Sequence, residues 1–171
     1  MNGDGGHGEL GLVGERVRLQ LIDSRLAQAM LDGAPDADLA WEDGFPMPPV
    51  LGLARRIFEA STPPGPFSAY VIVRRSDGLV VGDAGFHGPP NAAGEVEVGY
   101  ALVPAARGAG LVHDALQLLI DWAWTQPAVA VITARVDQGN EPSERVLARL
   151  GFARAGERDG MNRYALERSE P

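Results

Sequence analysis

Apolar residues along the chain fall into two periods. Between Glu15 and Ile22, Val17, Leu19 and Leu21 alternate with Arg16, Arg18 and Gln20, the period-two pattern of a half-buried strand. Asp23 or Ser24 can then accept from the open N–H groups of a short helix reaching Leu31. Residues 33–49 hold Gly33, Pro35, Gly44, Pro46, Pro48 and Pro49 and predict a loop. A helix over Val50–Ala60 follows, stopped by Pro63-Pro64-Gly65-Pro66. Two β-branched, apolar runs, Ser68–Arg75 and Leu79–His87, joined by Ser76-Asp77-Gly78, predict a hairpin.

Beyond the connection Gly88–Gly94, the pattern predicts a strand over Glu95–Val103 and then a helix. That helix carries Val112, Ala115, Leu116, Leu119, Trp122 and Ala123 on one face, with Asp114 and Asp121 opposite. Val129–Val136 reads as a central strand buried on both faces. A short helix over Pro142–Leu150 and strands near Phe152–Arg158 and Asn162–Glu167 complete the chain. The order β-α-α-β-β-β-α-β-α-β-β predicts an α/β domain, with one mixed, mostly antiparallel sheet of about seven strands flanked by about four helices. The glycine-rich residues 1–14 are expected to form a flexible leader, leaving 15–171 as a single domain.

Composition narrows the function classes. A chain of 171 residues can bury one continuous core, and no apolar run approaches the roughly 20 residues of a membrane helix. The N-terminus has neither the basic region nor the apolar stretch of a secretory signal, so the expected compartment is the cytoplasm. A net charge of −8 argues against nucleic acid and favours a cationic partner. The chain has no cysteine, and all 15 of its basic residues are arginine, so neither a thiol nor a lysine can carry covalent chemistry.

The candidate chemistry starts at Val103-Pro-Ala-Ala-Arg107-Gly108-Ala109-Gly110-Leu111-Val112, a glycine-rich turn between a strand and a helix. A helix start offers unpaired N–H groups and the positive end of the dipole, and glycine lets a phosphate approach the backbone. Position 113 is histidine, so G-x-G-x-x-G is absent, and there is no Walker G-K-[ST]. Glu95 and Glu97 lie two apart on the preceding strand and so share a face, either as solvated charges or as a base. Asp83, His87 and Glu95 match no metal-ligand spacing, and no metal is expected.

Two motifs resemble the GCN5-related N-acetyltransferases (GNATs), nearest the branch that acetylates N-termini of ribosomal proteins. One is Arg107-Gly108-Ala109-Gly110-Leu111-Val112, similar to the family's Arg/Gln-x-x-Gly-x-Gly/Ala turn except for Val112. The other is Asn140-Glu-Pro-Ser143 with Leu150-Gly151-Phe152, behind Glu97-Val98-Gly99-Tyr100. The resemblance, covering about Glu15 to the end, implies a GNAT fold and acetyl-CoA as cosubstrate. It implies Glu97 as base with Glu95 second, backbone N–H groups near Leu102 and Val103 for the oxyanion, and cofactor contacts from 107–112, Asn140 and Ser143. Many relatives have a tyrosine where this chain has Leu147, so Ser143 is the substitute proton donor to the leaving thiolate.

The resemblance also places the acceptor wall in the region between the first two helices. Trp41, Glu42, Asp43 and Phe45 there offer charge and cation–π contact to an ammonium. The expected partner is an amine, a protein N-terminus or a small molecule, with a homodimer as an open option. Two other readings use the same turn: a non-catalytic CoA-binding module, which Leu147 favours, and a nucleotide-binding domain.

Overall fold

The computed structural model describes residues 11–169. Eight strands form one sheet in the order β1-β2-β3-β4-β5-β6-β8-β7, and all neighbours are antiparallel except β5 and β6. The strands are β1 (Gly11–Val13), β2 (Val17–Leu21), β3 (Ala69–Arg74), β4 (Val80–Phe86), β5 (Glu95–Leu102), β6 (Val131–Asp137), β7 (Ala153–Arg158) and β8 (Met161–Glu167). The helices are α1 (Ser24–Asp32), α2 (Pro48–Glu59), α3 (Leu111–Trp124) and α4 (Glu141–Arg149).

The predicted element order holds, with one addition. Residues 11–13, expected within the leader, form β1 by pairing with Gln20–Arg18. Gly14 N–H donates to Val17 O at 2.9 Å and closes that hairpin. Residues 1–10 lie outside the described part. Helix α1 is capped as expected, with Asp23 Oδ1 accepting from Leu26 N–H at 2.8 Å. Helix α2 begins two residues early because prolines at 48 and 49 fit a first turn, where their missing N–H costs nothing.

Parity along β4 and β5 divides the sheet into two faces. Val96, Val98, Tyr100 and Leu102 share a face with Ala84 and Phe86, since paired residues point to the same side. Helix α3 packs there: Trp122 meets Phe86 and Phe67 at ring-centroid distances of 5.5 and 4.9 Å, and Leu116 and Leu119 are fully buried. The opposite face carries Glu95, Glu97, Gly99 and Ala101 from β5 and Asp83 and Gly85 from β4. Helix α2 lies over the Asp83–Gly99 part of it. Strand β6 was expected to be buried on both faces. Instead only its Thr133 is buried on this second face, while Arg135 and Asp137 towards the end of β6 are exposed.

The functional geometry comes from one departure from sheet regularity. The last β5–β6 pair is Val98–Ala134; beyond it β5 stays with β4 and β6 stays with β8, so the two parallel strands part.

Candidate active site

Two clefts converge where β5 leaves β6. The first, of about 480 Å³, lies between the start of α3 and α4 and is bounded by Gly108, Gly110, Asn140 and Ser143. Gly108 and Gly110 have φ of 85° and 79°, a left-handed backbone that favours glycine and turns the chain sharply into α3. No side chain caps α3, and its first internal bond in the turn is Asp114 N–H to Gly110 O at 3.2 Å. The N–H groups of Leu111, Val112 and His113 therefore precede any intrahelical donor. Arg107, Arg145 and Arg149 line this cleft, and among the described residues no carboxylate does. In a chain of net charge −8, that local excess of guanidinium suits an anion such as a pyrophosphate. Arg107 is braced by Nε donating to Leu102 O at 3.1 Å. Val112, the departure in the turn motif, is half-buried in the cleft wall.

The strand edge facing this cleft carries open backbone groups. Val103 N–H donates to Val81 O and His87 N–H to Glu97 O, both at 2.9 Å. The alternation of an antiparallel ladder then turns the odd-numbered residues of β5 towards β4, and Tyr100 and Leu102 towards the gap. This corrects one expectation. Leu102 N–H and Tyr100 N–H face the gap, whereas Val103 N–H is consumed inside the sheet.

Across the gap, Tyr100 Oη lies 2.8 Å from Ser143 Oγ. Burial pushes the Tyr100 phenol above its ordinary pKa, with the Ser143 hydrogen bond pulling partly back, so the hydroxyl stays protonated at neutral pH. Asn140 caps α4 by accepting from Ser143 N–H at 3.3 Å, while its side chain also lines the cleft. Leu147 is fully buried and packs in the core. Tyr100 carries little signal of its own along the sequence, because nothing local says that a residue 43 positions away will meet it.

The second cleft, of about 530 Å³, runs between α2 and the other face of the sheet. Met47, Val50 and Leu53 form one wall, and Asp83, Gly85 and Gly99 form the floor. Tyr100 and Ala101 border both clefts, so the two meet at the end of β5.

Glu97 stands at the edge of this groove. Its Oε1 accepts from Arg135 Nε at 2.9 Å and lies 2.8 Å from His87 Nδ1. His87 borders the groove, and a Cβ at Gly99 would come within 2.6 Å of its Nε2, so the ring lies over Gly99. Glu95, on the same face as expected, pairs instead with Arg163 at 3.1 Å. The sequence missed His87 and Arg135 as partners of Glu97, since both contacts depend on strand register.

The four residues expected to wall the acceptor site lie outside this groove. Trp41 forms a bridge to Val80 and packs edge-on against Phe45, with centroids 5.6 Å apart; Phe45 is buried. Glu42 pairs with Arg74 at 2.7 Å, which holds its carboxyl below the ordinary range. Asp43 N–H folds back onto Glu42 Oε1 at 3.1 Å. None of the four borders the groove; the next turn of chain, from Met47, does.

A glycine-turned helix start, a splayed parallel strand pair and a hydroxyl pair at the junction define an acyl-transfer site built for a phosphate-bearing acyl donor. Residues 16–153 match the family model described as an acetyltransferase (GNAT) domain. The chain is 32% identical over 144 residues to a Bacillus subtilis protein named "Uncharacterized N-acetyltransferase YjdG", covering 80% of this chain and 86% of that protein. Among solved structures, the ribosomal-protein-S5-alanine acetyltransferase from Vibrio fischeri superposes with a TM-score of 0.66 at 20% identity, covering 92% and 96% of the two chains. Mycobacterium smegmatis RimJ in complex with CoA-disulfide gives 0.64 at 22%, covering 94% and 88%. The chain belongs to the GNAT acetyltransferase family and is an acetyl-CoA-dependent acyltransferase.

Proposed function

We propose that the chain moves an acetyl group directly from acetyl-CoA to a primary amine in the cytoplasm, a peptide or protein N-terminus in the first place and a small-molecule amine in the second. The observation that carries this is the meeting of an arginine-lined cleft and a separate groove at Tyr100 and Ala101, which allows donor and acceptor to be held at once. With no cysteine in the chain, transfer without an acyl-thiol enzyme is the natural course. The two structural neighbours named above add weight to a protein N-terminus, one being a ribosomal-protein-alanine acetyltransferase and the other RimJ, solved with CoA-disulfide.

Acetyl-CoA supplies an acyl group already activated as a thioester. The open N–H groups at the start of α3, with Arg107 and the α4 arginines, hold the pyrophosphate. Leu102 N–H, directed into the gap, is a fixed donor for negative charge developing on the carbonyl oxygen. An amine is protonated at neutral pH and must lose a proton before its nitrogen attacks. Glu97 takes that proton, with His87 as the group that reaches the groove. The carbon–nitrogen bond forms and the carbon–sulfur bond breaks; Ser143, backed by the Tyr100 hydroxyl, donates a proton at the departing sulfur, and the second proton leaving the acylated nitrogen passes to solvent, from which the Ser143 hydroxyl is restored.

The test is release of free CoA thiol from acetyl-CoA in the presence of a panel of Ala-, Ser- and Met-initiated peptides and simple amines. Amine-dependent thiol release, with mass-spectrometric gain of one acetyl group on the amine, is the expected result. CoA binding without transfer to any amine would reduce the chain to a cofactor-binding module.

A further inference from the structure

The acceptor groove is mostly apolar along Met47 and α2, where Val50 and Leu53 face it beside Arg56, and its floor on the sheet is built from residues with almost no side chain. Ala69, Gly85, Gly99 and Ala101 leave the backbone bare. The small residues are required by packing as well as by space: a Cβ at Gly85 would lie 2.5 Å from Ser68 O. Into this floor projects a single carboxylate, Asp83, paired across the ladder with Ala101 and so directly beside the point where the two clefts meet. It is the only acidic residue lining the groove among the described residues; Glu97 approaches only through His87.

Among the described residues no side chain or backbone group pairs with the Asp83 carboxyl. Its carboxyl is half-buried, and burial alone raises its pKa to about 7, with no hydrogen bond or charge contributing. The titratable groups that share the groove are Arg56 of α2, His87 after β4 and Tyr100 of β5; β3 adds only Ala69 to the lining. A carboxylate in a mostly apolar groove that no cation among the described residues pairs with, Arg56 included, costs free energy that an incoming cation recovers. We propose, resting on the amine-acetyltransferase reading, that Asp83 is the acceptor-binding residue: it receives the substrate's ammonium group on the groove floor, and the apolar wall of α2 selects amines on short uncharged stems. The selectivity for amines then comes from the sheet, and the acidic loop at Glu42 and Asp43 plays no part in it.

The test uses the full chain saturated with CoA and follows binding of an Ala-initiated tetrapeptide amide by calorimetry. A matched peptide with hydroxyl in place of its α-amine serves as the uncharged probe. Wild type should bind the amine at least tenfold more tightly than the hydroxy peptide at pH 7.5, and several-fold more weakly at pH 6 than at pH 7, as Asp83 takes up its proton. Asp83→Asn should lose both the discrimination and the pH dependence while its affinity for CoA stays unchanged. Should Asp83→Asn fold poorly, Asp83→Ser and the wild-type pH dependence decide the matter. Full discrimination retained in the variants, or wild-type binding that is flat across pH 6–7.5, overturns the assignment. Acetylation of amines by wild type with either of those outcomes removes Asp83 alone; absence of any amine binding or transfer removes the amine-acetyltransferase reading itself.

Discussion

Tyr100 Oη and Ser143 Oγ meet at 2.8 Å across the gap between β5 and α4, joining the strand that borders both clefts to the helix that closes one of them. A phenol held protonated by burial and hydrogen-bonded to a serine forms a short donor chain. It is the pair we propose as proton donor to the leaving thiolate, Ser143 standing in for the tyrosine that this chain replaces with Leu147.

Ser143→Ala and Tyr100→Phe should each lower kcat by about a hundredfold with little change in KM for acetyl-CoA, the low end of the range expected for losing one positioned proton donor. The double variant should fall hardly further than the worse single one, because the two hydroxyls act as a unit. Steady-state kinetics on the four proteins checks this; multiplicative losses would mean that the hydroxyls act separately.

Glu97→Gln should cut kcat by about 10²–10³, since the amide cannot take the ammonium proton, and leave KM for acetyl-CoA unchanged. Glu95→Gln breaks an ion pair with Arg163 at a partly exposed site and should change kcat less than about threefold. The ranking of the two variants is the measurement, and the reverse order would move the base to Glu95.

A methyl group at position 99 would collide with His87 Nε2, the free end of a side chain, so the collision is relieved by turning the ring away. Gly99→Ala should therefore keep the fold, with Tm within a few degrees of wild type, yet reduce kcat by separating His87 from Glu97. A fully active Gly99→Ala would show that the His87–Glu97 contact has no part in proton removal.

Burial pushes the Asp83 carboxyl up to about 7 in the folded protein, against about 3.9 for a free aspartate. The folded state thus favours its protonated form, and the cost of ionising it appears only as pH rises. Wild-type stability should decline between pH 4 and pH 7 by about 2 kcal/mol from this group, allowing for water at the groove mouth. Asp83→Asn should show no such decline. Urea melts of both proteins at pH 5 and pH 8 give the difference directly; parallel losses would place the Asp83 carboxyl in a far wetter setting.

Much of this protein is legible along its sequence. Period-two and helical patterns locate seven of the eight strands and all four helices, because each pattern records which side of a local element faces the core. Gly108 and Gly110 announce the turn, and the two-residue spacing of Glu95 and Glu97 puts both on one face; those properties depend on backbone geometry within a few residues. Strand β1 escaped, since three residues of a glycine-rich segment carry no period and gain order only from pairing with β2.

What the tertiary structure alone decided is which partner each candidate meets. The register of β5 on β6 and β4 ties Glu97 to Arg135 and His87, and leaves Glu95 to Arg163. The parting of β5 from β6 opens Leu102 N–H, while Val103 N–H is spent on Val81. The loop acids pair with arginine or turn back on the chain, and the groove takes its single carboxylate from Asp83, a residue that in the sequence is only a polar interruption of a strand. Local patterns report burial, which is a property of one element. Charge pairing, cleft formation and the enclosure of a carboxyl are properties of several elements at once, and they exist only when the sheet has been assembled in one order and register.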